Sequence, residues 1–351
     1  MTSLGFFNAN NLFMRYQFGR TFPGDMSRKS FVANERFGFL PAYQKGMFEP
    51  YRPEQVELCA KALKGKNGLP DILCLCEVES LLALRVFNED FLGGHYDQAL
   101  LIDSYDFRQI DVAVLTRREI ARVRSHVDDL DANGKDRLFS RDCLEVVLEL
   151  NKSGSKTLTL FVNHLKSKFV DTRGKTETQI AAETKRATEK RERQAKAVRS
   201  ILQERFANGA FNSAPFVVVG DMNSGPDEAP VKPLVKNAGL HNPIDDLPPD
   251  DQWTYWWKSK NRASQIDYIL LSPKLANAVA AKGILPEIER RGIGFKNENS
   301  GGETLPKKTT VRRDEDTPSG HPVDFQFKRF PDVSDKLAAS DHCPITIELP
   351  V

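Results

Sequence analysis

The sequence Ser340-Asp-His-Cys-Pro-Ile345 is the most informative part of the chain when it is read with the upstream strand Gln265-Ile-Asp-Tyr-Ile-Leu-Leu-Ser272. The strand carries Asp267 among apolar neighbours, and the later segment presents Asp341 and His342 just before another apolar run. A carboxylate that orients a histidine beside a metal ion is a recurrent arrangement in metalloenzymes. Neither stretch is specific alone, so the prediction depends on the residues that precede them.

The same pattern recurs upstream, where an apolar strand ends and a polar side chain follows at once. Strand ends are rigid platforms, and several that meet at one edge gather their side chains into one pocket. The side chains placed in this way are Asn8 and Asn10, Glu77, Asn163 and His164, Asp221 and Asn223, Asp267, and finally Asp341 and His342. We therefore expect a single site assembled from most of the chain.

These residue types point to one kind of chemistry. Hard oxygen ligands suit Mg²⁺ or Mn²⁺, which bind one or two carboxylates and keep water or substrate phosphate oxygens. Two histidines can move protons near neutral pH, and asparagines donate to phosphate oxygens without adding negative charge. The set predicts a metal-assisted phosphoester hydrolase.

The composition is that of an ordinary globular protein. The 351 residues are 40% hydrophobic and 28% charged, which is typical of such chains and long enough for a large core. Because 50 basic residues face 48 acidic ones and leave a net charge of only +2, the chain is no polycation. Any affinity for phosphates must come from local clustering of cations.

The cysteines and the N-terminus bear on localisation. Five cysteines without regular spacing argue against a disulfide framework and favour buried free thiols. No stretch reaches the roughly 18 apolar residues of a membrane span, and the first residues resemble a strand rather than a signal peptide. We expect a cytoplasmic protein without a transmembrane segment or an evident obligate protein partner. A secreted or periplasmic location applies if a leader peptide has been removed.

The order of elements favours two packed sheets over one parallel sheet. Apolar strands cluster early and late, and a highly charged helix is predicted over 176–206, so helices should flank the sheets. Residues 13–52 and 283–336 are irregular and rich in Gly, Pro and charge, which predicts long loops or insertions. We expect one domain over residues 1–351.

The ordered motifs resemble the endonuclease/exonuclease/phosphatase superfamily, the deoxyribonuclease I-like fold, in a bacterial-type member. The motifs, in family order, are Phe7-Asn-Ala-Asn-Asn-Leu12, Cys76-Glu-Val78, Val162-Asn-His-Leu-Lys-Ser-Lys168, Gly220-Asp-Met-Asn223, Gln265-Ile-Asp-Tyr-Ile269 and Ser340-Asp-His342. Each is weak alone, but their order covers nearly the whole chain. The resemblance implies a four-layer α/β/β/α sandwich of two mostly antiparallel sheets flanked by helices.

The resemblance also implies metal ligands. Glu77 matches the principal metal ligand of the family, and Asp341 matches the residue that orients the metal or its water. Asn10 stands where many relatives carry aspartate, which puts an auxiliary ligand role there in doubt. The implied cofactor is Mg²⁺ or Mn²⁺.

The catalytic and phosphate-binding roles follow from the same resemblance. His342, held by Asp267, would act as general base or phosphate contact; Asp221 would position or deprotonate the attacking water. His164 would protonate the leaving oxygen or stabilise the transition state. The looser or supporting matches are Asp111, where the carboxylate partner of His164 commonly lies, and the phosphate-binding residues Asn8, Asn223 and Arg141.

The substrate is the open question at the level of sequence. The leading hypothesis is a nuclease, a phosphodiesterase acting on nucleic acid with DNA as the favoured substrate, because basic and aromatic residues mark 13–52, 253–262 and 283–336. Within Trp253-Thr-Tyr-Trp-Trp257, base stacking and packing over a sheet edge are equally good interpretations. The alternative is a phosphatase or phosphodiesterase for inositol phosphate or sphingomyelin-type substrates, and the least favoured is a non-catalytic binding module. DNA or RNA, and endo- or exonuclease action, stay open.

Overall fold

A computed structural model describes residues 1–13, 16–18, 48–50, 53–257, 262–294, 309–312, 322–325, 329–334 and 336–351. The strands in chain order are β1 (Thr2–Leu12), β2 (Tyr16–Phe18), β3 (Phe48–Pro50), β4 (Ile72–Val78), β5 (Gln98–Leu101), β6 (Asp111–Thr116), β7 (Ile120–Arg124), β8 (Cys143–Glu149), β9 (Thr157–His164), β10 (Phe216–Asp221), β11 (Tyr255–Trp257), β12 (Arg262–Ser264), β13 (Asp267–Leu271), β14 (Glu287–Ile288), β15 (Thr309–Arg312), β16 (Pro322–Phe325) and β17 (Ile345–Leu349).

The α-helices alternate with the strands along the chain. They are α1 (Pro53–Lys64), α2 (Leu81–Val86), α3 (Glu177–Arg205), α4 (Ala210–Ser213), α5 (Lys232–Val235) and α6 (Pro273–Ala281). A π-helical turn at Phe87–Phe91 follows α2, and 3-10 turns occur at Pro243–Asp246 and Pro249–Asp251. The long charged helix predicted over 176–206 is confirmed as α3, which begins with a capping box at Thr176.

Two mixed sheets form the centre of the structure. The first has the order β14-β17-β1-β4-β6-β5, and the second has the order β13-β10-β9-β8-β7. All neighbours are antiparallel except β1 with β4 and β10 with β9. Each sheet therefore contains one parallel pair, and the mostly antiparallel arrangement expected from the resemblance is confirmed.

The alternation of side chains explains the layers. Along β4, Cys74 and Cys76 point into the core between the sheets, whereas Leu73 and Leu75 pack towards α1. Because both faces of the strand are covered, it reads as a continuous apolar run. On the outer face of the second sheet, α3 contributes the apolar stripe that the sequence indicated, including Val198 and Leu202. The flanked two-sheet sandwich is confirmed.

The predicted insertions are only partly described. Within 13–52 the structure describes β2 paired with β3, and within 283–336 it describes β14, β15 and β16. Strands β11, β12, β15 and β16 form a separate four-stranded sheet. The structure also describes residues 283–294, 329–334 and 336 of the second segment, and the remaining residues of both segments, apart from residue 13, lie outside the described part of the chain. One domain over the full chain stays a prediction. In the described part of the chain, no helix is both long and apolar enough to cross a membrane.

Close packing of the parallel pair in the second sheet depends on Gly220. This residue faces Asn163 across β10 and β9, and a Cβ added to it would lie 1.9 Å from the Asn163 carbonyl oxygen. We expect Gly220→Ala to lower the free energy of unfolding by about 3 kcal/mol or more, measured by urea denaturation. Gly225→Ala is the matched control, since its Cβ would come no closer than 3.4 Å to a neighbour. Equal unfolding midpoints for the two variants would show this packing account to be wrong.

Candidate active site

The ends of the two parallel pairs supply the centre of the site. Asn8 lies near the end of β1 and Glu77 near the end of β4, while His164 and Asp221 end β9 and β10 at paired positions. Asn8 Nδ2 donates a 3.0 Å hydrogen bond to Asp221 Oδ2 and so joins the two sheets. Parallel strands bring their carboxyl ends to one edge, which is why residues far apart in sequence meet here.

The backbone at this edge adopts conformations that are unusual for side-chain-bearing residues. Positive φ angles at residues other than glycine are uncommon and often accompany functional sites. Within the described residues, four of the six such positions belong to the site motifs: Asn10 (48°), Asn11 (66°), Glu77 (63°) and Asn223 (52°). The Asn11 amide donates to Glu77 Oε2 at 3.1 Å, so this local geometry holds the Glu77 carboxylate in place.

His342 and Asp267 form the carboxylate–histidine couple. His342 Nδ1 lies 2.9 Å from both carboxylate oxygens of Asp267, which is fully buried. Thr254 Oγ1 donates to Asp267 Oδ2 at 2.7 Å and accepts from the amides of Ile266 and Asp267. Because these bonds fix Asp267 and occupy Nδ1, the Nε2 atom of His342 is the one left for chemistry.

The couple makes His342 strongly basic. Burial alone lowers the pKa of His342, but the Asp267 carboxylate, with Asp341 and Asp221, outweighs it and raises the pKa to about 10. The imidazole is therefore cationic at neutral pH before any cation or substrate binds. Of the two roles expected for His342, this charge favours contact with a substrate phosphate.

His164 is held in the opposite charge state. Its Nε2 lies 3.5 Å from Asp221 Oδ2 and 3.9 Å from Glu77 Oε1. Burial, followed by the positive charges of Arg141 and His342, lowers its pKa well below the usual value. Two histidines with opposite protonation states at one site can serve different steps of an acid–base reaction.

Asp221 connects the two histidines. Its Oδ2 lies 3.5 Å from His164 Nε2 and 4.0 Å from His342 Nε2. Burial raises the pKa of Asp221; His342 opposes the rise while Asp267 adds to it, and the result is about 7. A carboxylate that titrates near neutral pH can accept a proton from water and release it again.

The expected phosphate-binding asparagines have other contacts in this structure. Asn8 is buried and donates to Asp221, while its Oδ1 accepts from the Asn10 amide at 3.0 Å. Asn223 Nδ2 donates to the Leu165 carbonyl oxygen at 3.1 Å, and its amide donates to Asp221 Oδ1 at 2.7 Å. Both therefore lie at the site and help to position Asp221, and their phosphate-binding role stays a prediction.

Arg141 lies behind the site rather than on its open side. Its side chain is 1% exposed, with Nε 3.0 Å from Asp106 Oδ2 and Nη1 2.8 Å from the Leu165 carbonyl oxygen. A two-pronged grip on a phosphate requires it to leave Asp106. In the structure the positive charge of Arg141 acts on His164 through space. It lowers the pKa of His164 more than any other group does, and only burial has a larger effect.

The expected pairing of Asp111 with His164 is not formed. Asp111 Oδ1 accepts from the Ser104 amide at 3.0 Å, and burial raises the pKa of this carboxyl to about 6. Within the described residues, the buried Nδ1 of His164 has no hydrogen-bond partner. The sequence places Asp111 at the start of the correct strand, but its side chain is bound by the preceding loop.

Glu77 and Asp341 fit a divalent metal. Burial raises the pKa of Glu77, and Asp341 is close enough to raise it further, against the opposing charges of His342 and Arg141. A cation would relieve this repulsion between two hard oxygen donors. Asp341 keeps 41% of its side chain exposed, with Oδ1 3.9 Å from His342 Nε2. Asn10 is less suited, because its Oδ1 accepts from Asn11 Nδ2.

A tighter group of possible ligands is better explained as a proton-transfer unit. Asp221, Asp267 and His342 offer ligand atoms within 4.8 Å of one another. However, both oxygens of Asp267 and Nδ1 of His342 already bond to each other, and Thr254 bonds to Asp267 as well. A metal there would have to break these buried hydrogen bonds, which costs more than binding at the partly exposed carboxylates.

Three supporting residues escaped the sequence analysis. Thr254 fixes Asp267; Ser340 Oγ donates to the Asn8 carbonyl oxygen at 2.8 Å and accepts from the His342 amide; and the Tyr255 ring lies 4.8 Å from the His342 ring. Ser340 had a signal, since it directly precedes the Asp341–His342 pair. Thr254 and Tyr255 had none, because their roles depend on the contact of β11 with residues 341–343.

The aromatic segment is largely packed. Trp253 and Trp256 are buried, and 43% of Trp257 is exposed. This favours packing over the sheet edge for the first two rings and leaves stacking only to the third. Lys258 and Lys260, which prompted the nucleic-acid interpretation, lie outside the described residues.

The fold and site together define a metal-dependent phosphoester hydrolase. The chain belongs to the endonuclease/exonuclease/phosphatase family, because the sequence model of that family, described as "Endonuclease/Exonuclease/phosphatase family", matches residues 50–342. Members of this family are divalent-metal-dependent hydrolases of phosphoric esters. A comparison with curated protein sequences finds no match to this chain.

Solved structures share the fold at low identity. The structure of SmcL is 14% identical, with a TM-score of 0.50 and coverage of 98% of this chain and 97% of that one. A family protein from Bacteroides thetaiotaomicron is 14% identical at 0.50, covering 99% and 94%. Truncated TDP2 from Caenorhabditis elegans is 14% identical at 0.50, covering 99% and 97%. Such identities establish the fold alone.

A double-mutant cycle tests whether His342 and Asp267 act as one unit. We expect His342→Ala to lower kcat/KM for a small phosphodiester by ~10²-fold or more, and Asp267→Asn to have a similar effect. Because the carboxylate acts through the imidazole, the double variant should be little worse than either single variant. Losses that multiply in the double variant would show that the two residues act separately.

Thr254 is expected to act by positioning Asp267. Thr254→Val removes the hydroxyl at nearly constant volume and should lower kcat/KM by about tenfold, the value of one hydrogen bond to a charged group. Thr254→Ser keeps the hydroxyl and is the matched control. The alkaline limb of the kcat/KM profile, where His342 loses its proton, should move to lower pH in the valine variant only. Identical profiles for both variants would contradict this role.

Proposed function

We propose that this phosphoesterase is a nuclease, which hydrolyses phosphodiester bonds of nucleic acid, with DNA as substrate and Mg²⁺ or Mn²⁺ as cofactor. The observation that carries the proposal is the convergence of His164 Nε2 and His342 Nε2 on Asp221 Oδ2, at 3.5 and 4.0 Å. Cleavage of a diester requires proton handling both at the attacking water and at the leaving oxygen. Asp221 is placed to accept the first proton, and Nε2 of the neutral His164 is placed to donate to the leaving oxygen.

Each residue has a defined part in the proposed reaction. Asp221, with a pKa of about 7, accepts a proton from the attacking water. His342, cationic and oriented by Asp267, contacts a phosphate oxygen and balances its developing charge. His164 stabilises the leaving oxygen through Nε2. Glu77 and Asp341 would hold the divalent metal, which would supply Lewis acidity to the phosphate.

The surroundings of the site support a polyanionic substrate. Burial lowers the pKa of His164 most, and the charges of Arg141 and His342 lower it further. The positive charges of Arg108 and Lys166 are also close enough to lower this pKa. Because the net charge of the whole chain is only +2, this is a local concentration of cations. Neutralising backbone phosphates is the main source of affinity for nucleic acids.

The alternative substrates are inositol phosphate or sphingomyelin-type esters, and they share the same chemistry. For localisation, all five cysteines are buried free thiols; a cytoplasmic location agrees with this and stays a prediction. No specific contact in the described residues favours a lipid-borne substrate over nucleic acid.

Cleavage assays test the proposal directly. Plasmid and single-stranded DNA with Mg²⁺ or Mn²⁺ should be cleaved, the cleavage should stop with EDTA, and Glu77→Ala should lose ~10²-fold or more of the rate. Glu57→Ala, on an exposed carboxylate of α1, is the control and should retain the activity.

Two outcomes would contradict the proposal. Faster release of phosphate from soluble monoesters, or of headgroups from lipids, than of nucleotides from DNA would establish the alternative substrates. Absence of Mg²⁺ and Mn²⁺ binding in calorimetry, even with inorganic phosphate present, would indicate a binding module instead of an enzyme.

A further inference from the structure

A groove beside the active site carries two exposed aromatic rings. Its volume is about 400 Å³, within the range of pockets that hold small organic groups. Phe107 and Phe169 line it and are 92% and 71% exposed. A single exposed apolar side chain is ordinary, but two large rings on one concave surface indicate an interaction site.

The same groove has an excess of positive charge. Among its lining residues, Lys175 is paired with Glu183 at 2.6 Å, and Arg108 is paired with Asp106. Three further cations line it, and no carboxylate in the described part of the chain lies within ion-pair distance of them: Lys166, Arg186 and Lys190. The groove therefore offers cations without an ion-pair partner in its lining together with two exposed aromatic rings.

Direct contacts connect this groove to the catalytic residues. Asp106, in the groove lining, accepts a 3.0 Å hydrogen bond from Arg141 Nε. Arg141 Nη1 in turn donates to the carbonyl oxygen of Leu165, the residue between His164 and Lys166. Because Lys166 lines the groove and follows His164 by two residues, the groove lies next to the catalytic residues.

We propose that this groove binds unpaired bases of single-stranded nucleic acid next to the scissile phosphate. Phe107 and Phe169 stack on bases, and Lys166 and Lys190 contact the flanking phosphates. Bases in a duplex are already stacked on each other and cannot present their faces in this way. The inference rests on the proposed function and adds to it a preference for single strands.

The arrangement does not suit a membrane surface. A membrane-binding face presents contiguous apolar side chains outward, with cations around them. Here the two rings line one concavity together with several charged residues, and they are not part of a contiguous apolar face. Rings and cations that line the same groove match the bases and phosphates of a single strand.

Substrate preference provides the first test. For each variant, kcat/KM on a single-stranded oligodeoxynucleotide is divided by kcat/KM on bis(p-nitrophenyl) phosphate, which corrects for folding and catalytic competence. Phe107→Ala and Phe169→Ala should each lower this ratio about tenfold by raising KM for the oligonucleotide. Phe107→Trp keeps an aromatic ring and should retain the wild-type ratio. Tyr105→Ala is the matched control. Tyr105 is 58% exposed on the same loop, but it stacks on Arg137 at 3.8 Å outside the groove.

Binding without cleavage provides the second test. A single-stranded oligonucleotide containing 2-aminopurine is added to the protein in EDTA. Stacking should quench its fluorescence in the wild type and in Tyr105→Ala, and the quenching should be lost in the Phe107→Ala/Phe169→Ala double variant. This arm needs no activity, so it separates the groove from the catalytic proposal.

The outcomes decide between the two proposals. If the wild type cleaves no nucleic acid, the proposed function fails, whereas quenching still decides the groove. If the wild type cleaves DNA but both phenylalanine variants match Tyr105→Ala in ratio and quenching, the groove proposal is wrong. It is equally overturned if the variants lose binding to vesicles of phosphatidylserine and phosphatidylcholine but not to the oligonucleotide.

Discussion

The site depends on the two sheets meeting at one edge, where Asn8 of the first sheet donates a hydrogen bond to Asp221 of the second. Each sheet contains one parallel pair, and the carboxyl ends of both pairs meet at one edge of the sandwich. Strands from the first sheet bring Asn8 and Glu77, and those from the second bring His164 and Asp221. Close approach of the central strands, with Gly220 against Asn163, keeps this edge in register. The geometry of the site is therefore a property of the sheets.

Burial then sets the charges. Asp221 and Asp267 are almost completely buried, and isolated carboxylates in such surroundings would be costly. The structure balances them with His342, which becomes cationic, while His164 on the other side of Asp221 is kept neutral by burial and nearby cations. His342 and His164 lie on either side of Asp221, and their surroundings give them opposite charge states. The site can therefore receive a phosphate without further rearrangement of charge.

The sequence predicted the sandwich and indicated which strand-end side chains meet at one edge, because both depend on short local patterns. An apolar run ending in Glu77 or Asp221 reveals a strand and the side chain at its end. The contacts of Arg141 and Asp111 were not predictable, since Asp106 and the Ser104 amide come from a loop with no periodic pattern. Thr254 was missed because its hydroxyl reaches Asp267 only after the chain turns back on itself through the pairing of β11 with β12, which no motif in the sequence marks. The aromatic segment had two equal interpretations because sequence does not show which rings are covered.

We propose that the metal binds at Glu77 and Asp341, while Asp267 and His342 form a separate cationic couple that contacts the substrate phosphate. Anomalous X-ray scattering from crystals grown with Mn²⁺ and inorganic phosphate tests this claim most directly. We expect an anomalous peak within bonding distance of the Glu77 carboxylate, with the hydrogen bond between His342 Nδ1 and Asp267 intact. A peak coordinated instead by Asp221, Asp267 and His342 would contradict the account.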